Sequence, residues 1–390
     1  MHLFDFADRE FLRKFAAIAL PVALMGLINF GVKAVDTLML GLVGEVELSG
    51  ASLANQFSFV MMVVGGTGVG TGCGVLTAQY WGAGNKERVR EVFAFMFRLT
   101  AVINLLFAST AFLAPYHVLG ILTNDEEVIR AGATYLRIMS AGYLVWGFTN
   151  TVVIILRSAG ILRISVAAFS VSLFISASLN YVLIFGNFGF PVMGIAGAAT
   201  ATVIARAAEF VIIMTYVLKF DNRLAFRLQS LFRRGGNVSK SFIKYSLPVL
   251  INETFWATSF FILMMIMGRM GREFVAANAI GSLFIQFAGM VIFSVTGATS
   301  VIVGNTIGEG HYAKARRIAN GMLGISFLIG LGCFVFVQTA RLPFINFYEL
   351  SDTARIYALQ FTHIISVNLI FMSMHGKRTN PKTPTTKHLP

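Results

Sequence analysis

Apolar residues fall in ten long blocks along this chain, at about 14–40, 48–78, 92–114, 131–156, 165–186, 195–218, 244–267, 276–303, 318–340 and 355–374. Short polar or basic stretches separate them. Each block has about 20 residues or more, enough to cross roughly 30 Å of hydrocarbon at about 1.5 Å per helical residue. Short strands of alternating polarity, which would signal a membrane barrel, are absent from the pattern. The pattern predicts an all-α polytopic membrane protein of about ten transmembrane helices.

The blocks repeat. LPVALMGLINFGVKAVDTLML (20–40) returns as LPVLINETFWATSFFILMMIM (247–267). Pro21 falls on Pro248, Gly44 on Gly271, Asp125 on Asp352 and Ala131 on Ala358, each pair 227 positions apart. After a one-residue slip, WGAGNKERVR (81–90) falls on IGEGHYAKAR (307–316). Two homologous helical lobes are the usual plan of a secondary transporter, with a substrate site between the halves. The expected organisation is a six-helix lobe over 1–218, a basic cytoplasmic linker over 219–243 carrying Gly235 and Gly236, and a four-helix lobe over 244–374. The counterparts of the first lobe's last two helices would begin beyond residue 390, so the second lobe is expected to be incomplete. Residues 375–390, HGKRTNPKTPTTKHLP, are expected to form a polar disordered tail.

Composition strengthens the membrane reading. The chain is 56% hydrophobic and only 13% charged, about half the usual charged share of a soluble domain. Its net charge of +13 would suggest a nucleic-acid partner in a soluble protein, but its distribution points elsewhere. Lys86, Arg88, Arg90 and Arg98, then Arg157 and Arg163, then the 219–244 segment, then Lys314, Arg316 and Arg317 occupy alternate loops. The intervening loops, GEVELSG, TNDEEV and NFGFPVMG, are acidic or neutral; Arg269 and Arg272 are the exception. Alternating basic loops set orientation by the positive-inside rule. The N-terminus and the basic loops are expected in the cytoplasm of a bacterial cell, with the chain in the inner membrane.

Several chemistries find no machinery. Cys73 and Cys333 lie singly in apolar blocks and imply no disulfide framework. The glycine run GGTGVGTGCG (65–74) has phosphate-loop-like spacing but lies inside a membrane span, so it reads as close helix packing and hinge bending. There is no Walker A motif, metal-ligand cluster or Ser/His/Asp arrangement. The sequence argues against an ATP-driven pump, a membrane hydrolase, or any other enzyme, and no cofactor or nucleotide is expected.

Ionisable groups within membrane helices are costly, roughly 2.5–3.5 kcal/mol on insertion scales, and are functional candidates by default. Glu253 lies nine residues past Lys244, roughly 14 Å inside its helix. A carboxyl at that depth is a candidate for loading and releasing a proton; the plain alternative is a protonated group hydrogen-bonded within the bundle. Asp36 lies near the end of the first block. Lys33, three residues earlier, offers a simple i,i+3 ion pair as its plain alternative. Arg206 and Glu209 are spaced to pair with each other. His363 reads as a packing residue or polar contact. Asn29, Asn55, Gln56, Asn252, Asn278 and Gln286 are uncharged polar groups that could line a cleft or bind neighbouring helices. The run at Met264, Met265 and Met267 reads chiefly as lipid-facing bulk.

IALPVALMGLINFGVKAVDTLMLGLVGEVELSGASLANQ (18–56), LTAQYWGAGNKERVR (76–90), ILRSAG (155–160), LNYVLIFGNFGFPVMGIAGAATATVIAR (179–206) and LPVLINETFW (247–256) together resemble the multidrug and toxic compound extrusion (MATE) family. The resemblance implies twelve helices in two lobes, a central cleft and cation-coupled export of organic cations by a monomer. It also implies that Asp36, within VDTLMLG, is the protonation site of the first lobe, with Asn180 beside it and a second carboxylate at Glu253. Where the family often carries Asn and then an acid or amide before this tyrosine, the chain has Ser176 and Asn180. That departure weakens a sodium site and favours protons as the coupling ion. Lys33 is unexpected beside the family's aspartate. Two further readings stand beside the antiporter: an inactive truncated fragment or association subunit, and a flippase for lipid-linked saccharides. The flippase would need a markedly cationic cleft, for which Lys33, Arg137 and Arg206 are the candidates.

Overall fold

The structure, a computed structural model, describes residues 9–220, 242–243, 247–270, 272–346 and 352–374. Most of the expected linker, Lys244 and the 375–390 tail lie outside the described residues, as do the side chains of Asn278, Met264, Met265 and Met267. The described chain is helical throughout, with no strand among those residues. Its long helices are α1 (Arg9–Val43), α2 (Glu45–Met61) continued through a π-helical turn (Met62–Gly68) into α3 (Val69–Gly82), and α4 (Lys86–Leu113). After the short α5 (Pro115–Gly120) come α6 (Glu126–Ser158), α7 (Arg163–Phe185) and α8 (Gly194–Thr215). The second half holds α9 (Leu247–Met270), α10 (Arg272–Gly308), α11 (Tyr312–Asn346) and α12 (Asp352–Met374). Among the described residues, nine helical stretches are long and apolar enough to cross a membrane. The 24-residue α9 coincides with the remaining expected span.

The helix ends follow from local sequence. Asp125 caps α6, its Oδ1 accepting from the backbone N–H groups of Glu127 at 3.0 Å and Val128 at 3.3 Å. The Asn85 side chain caps α4 through the Arg88 N–H at 3.1 Å. The repeat seen in the sequence extends to backbone geometry. Gly84 and Gly310 both adopt positive φ, 71° and 84°. In one copy Gly84 N–H bonds Trp81 O at 3.0 Å and Asn85 N–H bonds Tyr80 O at 2.9 Å; in the other, Gly310 bonds Ile307 at 3.0 Å and His311 bonds Thr306 at 3.1 Å. The same left-handed helix stop is built twice.

The chain forms two compact units. One comprises Leu27–Ser259, the other Met1–Gly26 with Phe260–Pro390. In the first unit α2, α4, α6, α7 and α8 pack around a core that includes Leu40, Ala54, Met61, Tyr135, Leu136, Tyr143, Ile184 and Ala198. Small residues allow this approach, as membrane helix packing requires. A Cβ on Gly50 of α2 would lie 2.7 Å from the backbone nitrogen of Gly132 in α6, and one on Gly197 of α8 would lie 2.6 Å from the Leu183 carbonyl of α7. The glycine run also packs closely: Gly65, Gly66 and Gly68 are buried within the π-helical turn. In the second unit α10, α11 and α12 bury Phe284, Ile292, Val337, Ile345 and Leu369. There Gln338 Nε2 lies 2.7 Å from His363 Nδ1 and donates to Ser366 Oγ at 2.9 Å, so His363 makes the polar contact its position suggested.

Candidate functional site

Three helices of the first unit carry polar groups at helical spacing through otherwise apolar sequence. On α1 these are Asn29, Lys33 and Asp36, on α7 Ser172, Ser176 and Asn180, and on α8 Thr202, Arg206 and Glu209. Spacings of three and four put each set on one face of its helix. The opposite face of α7 presents Val171, Phe174 and Tyr181 outward. The polar faces meet. Asn180 Nδ2 donates to Asp36 Oδ1, and Thr202 Oγ1 donates to Asp36 Oδ2 at 3.3 Å. Asp36 is 9% exposed and Asn180 fully buried.

A second polar layer lies alongside. Arg206 Nη1 pairs with Glu209 Oε2 at 2.9 Å, and Arg206 Nη2 donates to Asn29 Oδ1 at 3.3 Å. The Arg206–Glu209 pair expected from spacing is therefore formed, and it reaches across to α1. Ser172 Oγ donates to the Ala205 carbonyl at 3.2 Å, tying α7 to α8.

Two expectations about α1 need correction. The helix runs on through Gly41, Leu42 and Val43, so Asp36 lies seven residues, about 10 Å, from its end and deeper than its apolar block implied. The simple Lys33–Asp36 ion pair is not formed. Asp36 instead turns to Asn180 and Thr202, while the Lys33 side chain is exposed and its charge acts on Asp36 and Arg206 without a direct contact.

The remaining sequence candidates divide between the units. Ser176 is buried on α7 with its hydroxyl unpartnered, as is Asn180 Oδ1. Gln56 on α2 is partly exposed. Asn252 and Glu253 lie on the part of α9 that clusters with the first unit; Asn252 is exposed and Glu253 half-buried, with interaction partners of its own. Asn278 and Gln286 lie on α10 in the other unit, where Gln286 is exposed and donates to the Ser282 carbonyl at 3.4 Å. Thr202 and Tyr135 were not singled out from the sequence. Tyr135, 2% exposed, lies in the buried core of the first unit. Among the described residues no cluster of His, Cys, Asp or Glu could hold a metal ion.

Chemically, the arrangement is a buried carboxylate held by two neutral donors on two other helices. A change of its charge alters contacts between α1, α7 and α8 together.

Comparison with known proteins agrees with this architecture. The protein described as "Probable multidrug resistance protein YoeA" of Bacillus subtilis (strain 168) is 26% identical over 289 residues, 72% of this chain and 61% of that protein. The "Probable multidrug resistance protein NorM" of Synechocystis sp. is 27% identical over 368 residues, 89% of this chain and 75% of that one. The chain thus spans 61% of the length of the first of these relatives and three quarters of the second. Among solved structures, the eukaryotic MATE transporter AtDTX14 matches with a TM-score of 0.81 at 18% identity, over 94% of this chain and 81% of that one. A MOP superfamily transporter from Pyrococcus furiosus matches with a TM-score of 0.79 at 17% identity, over 93% and 83%. These two likenesses concern the fold. The model of the MatE family matches residues 21–182 and 248–376, and the chain belongs to that family.

Proposed function

We propose that this chain is a secondary active antiporter that exports organic, amphipathic compounds, organic cations among them, in exchange for protons by alternating access. The observation that carries the reading is the Asp36 carboxylate, buried in a membrane-crossing bundle and bound by Asn180 and Thr202 rather than by a cation. A charge placed there costs about 2.5–3.5 kcal/mol on insertion scales, which supports a functional role. Protonation of Asp36 would remove the acceptor charge that Asn180 and Thr202 hold in common, loosening α1 from α7 and α8. Glu253, half-buried on α9, is proposed as a second coupling carboxylate.

Protons are favoured over sodium because Ser176 and Asn180 stand where the family often carries an amide and then an acid or amide, which leaves fewer strong oxygen ligands beside Asp36. A hard cation takes carboxylate and carbonyl oxygens as ligands. An inward proton moving down 100 mV supplies about 2.3 kcal/mol, to which a pH gradient adds. Asn29, Gln56, Ser176, Asn252, Asn278 and Gln286 are proposed to line the path of the exported compound. No cofactor is required. The reading places a monomer in the bacterial inner membrane with its N-terminus in the cytoplasm, supported by Lys86, Arg88 and Arg163 falling at one end of alternating helices.

The test is export of a fluorescent cationic dye from an efflux-deficient bacterial host as external pH is changed. Wild-type chain should expel dye in a pH-dependent manner and Asp36→Asn should not. Export by the Asp36→Asn variant with the wild-type pH profile would sink the assignment.

A further inference from the structure

Lys33 is a charged group beside Asp36 that the antiport scheme leaves unused. It lies ten residues, about 15 Å, from the Val43 end of α1, well within the apolar span Phe11–Val43. At that depth a lysine cannot readily snorkel to the headgroups, yet its side chain is exposed. Direction around the helix says to what. At about 100° per residue, Lys33 lies about 40° from Asn29 and about 60° from Asp36. The outward leucines of the same helix portion, Leu27, Leu38 and Leu42, lie about 120–180° away from it. Lys33 therefore opens onto the polar side of α1, not the lipid side, and a charge on that side faces the bundle interior or a water-filled path.

Among the described residues no acid contacts it directly; Asp36 acts on it only at a distance. Lys33 has no ion pair and no side-chain hydrogen bond there; only its backbone carbonyl is engaged, accepting from Thr37 Oγ1 at 2.8 Å. The neighbouring charges are committed. Arg206 holds Glu209 and Asn29, and Asp36 holds Asn180 and Thr202. With both acids ionised these four residues sum to zero. With Asp36 ionised, Lys33 and Asp36 place a cation and an anion three residues apart on one face of α1.

We propose that Lys33 is the docking point for a carboxylate on the transported compound, so that the preferred substrates are amphipathic molecules bearing a carboxylate alongside their cationic or aromatic body. The inference rests on the reading of this chain as an exporter of small organic compounds and names their class. A monoanion fits better than a pyrophosphate, because Lys33 is the single uncommitted cation among the charges gathered here. The ammonium offers three donors to a carboxylate, and such charge-assisted bonds are roughly twice as strong as neutral ones. A carboxylate docked on Lys33 would leave the compound's cationic body to replace the proton at Asp36, three residues away on the same face, so docking at Lys33 accords with exchange for a proton.

The experiment uses the full chain purified in lipid nanodiscs, with rhodamine B and its ethyl ester as probes. The two dyes share one cationic ring system and differ in whether the carboxylate is free. Binding is read by fluorescence polarisation, with empty nanodiscs subtracted. Wild-type protein should bind rhodamine B about tenfold more tightly than the ester, one charge-assisted contact's worth. Lys33→Gln should erase that preference and Lys33→Arg should keep most of it. Equal binding of the two dyes by wild type, or an unchanged preference in Lys33→Gln, overturns the proposal. Because binding is read without transport, a failure of pH-driven export alongside an intact, Lys33-dependent preference would refute the antiport scheme alone.

Discussion

Asn180 and Asp36, 144 residues apart in the chain, are joined by a hydrogen bond from the amide nitrogen of one to the carboxylate of the other, both buried in the first unit. Thr202 completes the contact from α8. Three membrane-crossing helices therefore share one titratable group, and the predictions concern what depends on it and what does not.

Replacing Asp36 by Asn keeps the shape and leaves an acceptor for Thr202 while removing the charge. We expect pH-dependent export to be lost while the protein still inserts, elutes as a single species and melts within a few degrees of wild type. Export across a pH series and a thermal melt of the purified protein check both halves.

Glu253→Gln should behave in the same way, inserting normally but losing pH dependence. If it exports like wild type while Asp36→Asn does not, coupling belongs to the first carboxylate alone.

The Arg206–Glu209 pair should be structural. Glu209 is 1% exposed and Arg206 15%, so removing one partner strands a buried charge. Arg206→Ala is expected to cost about 3 kcal/mol, the lower end for buried pairs because Arg206 keeps some exposure. The double change Arg206→Met with Glu209→Met should regain most of the loss. A melt in which the double variant is no more stable than Arg206→Ala would contradict this.

Gly50 and Gly84 should respond oppositely to size. A side chain at Gly50 meets the backbone of Gly132, with nothing flexible to yield, whereas a Cβ at Gly84 meets nothing within 4 Å. Gly50→Val should cost about 1–3 kcal/mol by overpacking, or more. Gly84→Ala should cost only the roughly 1 kcal/mol of placing a side chain at positive φ. Thermal melting of the two variants separates the cases.

Much of the architecture was legible in the sequence because apolar length and repeat are one-dimensional properties. The helices fall where the apolar blocks predicted, and the doubled glycine stop at Gly84 and Gly310 follows from the aligned motifs. The Arg206–Glu209 pair was legible because three-residue spacing on one helix fixes proximity. Thr202 was not, since it sits in an Ala-rich run and gains its role only where α8 crosses α1. The Lys33–Asp36 spacing misled: spacing allows an ion pair but does not choose it over partners that another helix brings. Nor did the glycine run announce a π-helical turn, because glycine permits many backbone states and specifies none.

The most direct test of the central claim is proton release on substrate binding. Purified protein in weakly buffered detergent solution with a pH indicator is mixed with rhodamine B ethyl ester at a pH where the resting carrier is proton-loaded. The account predicts that wild type releases protons as the dye binds and that Asp36→Asn binds dye with that release largely gone. Undiminished proton release from Asp36→Asn would contradict the assignment of Asp36 as the group that exchanges a proton for the exported compound.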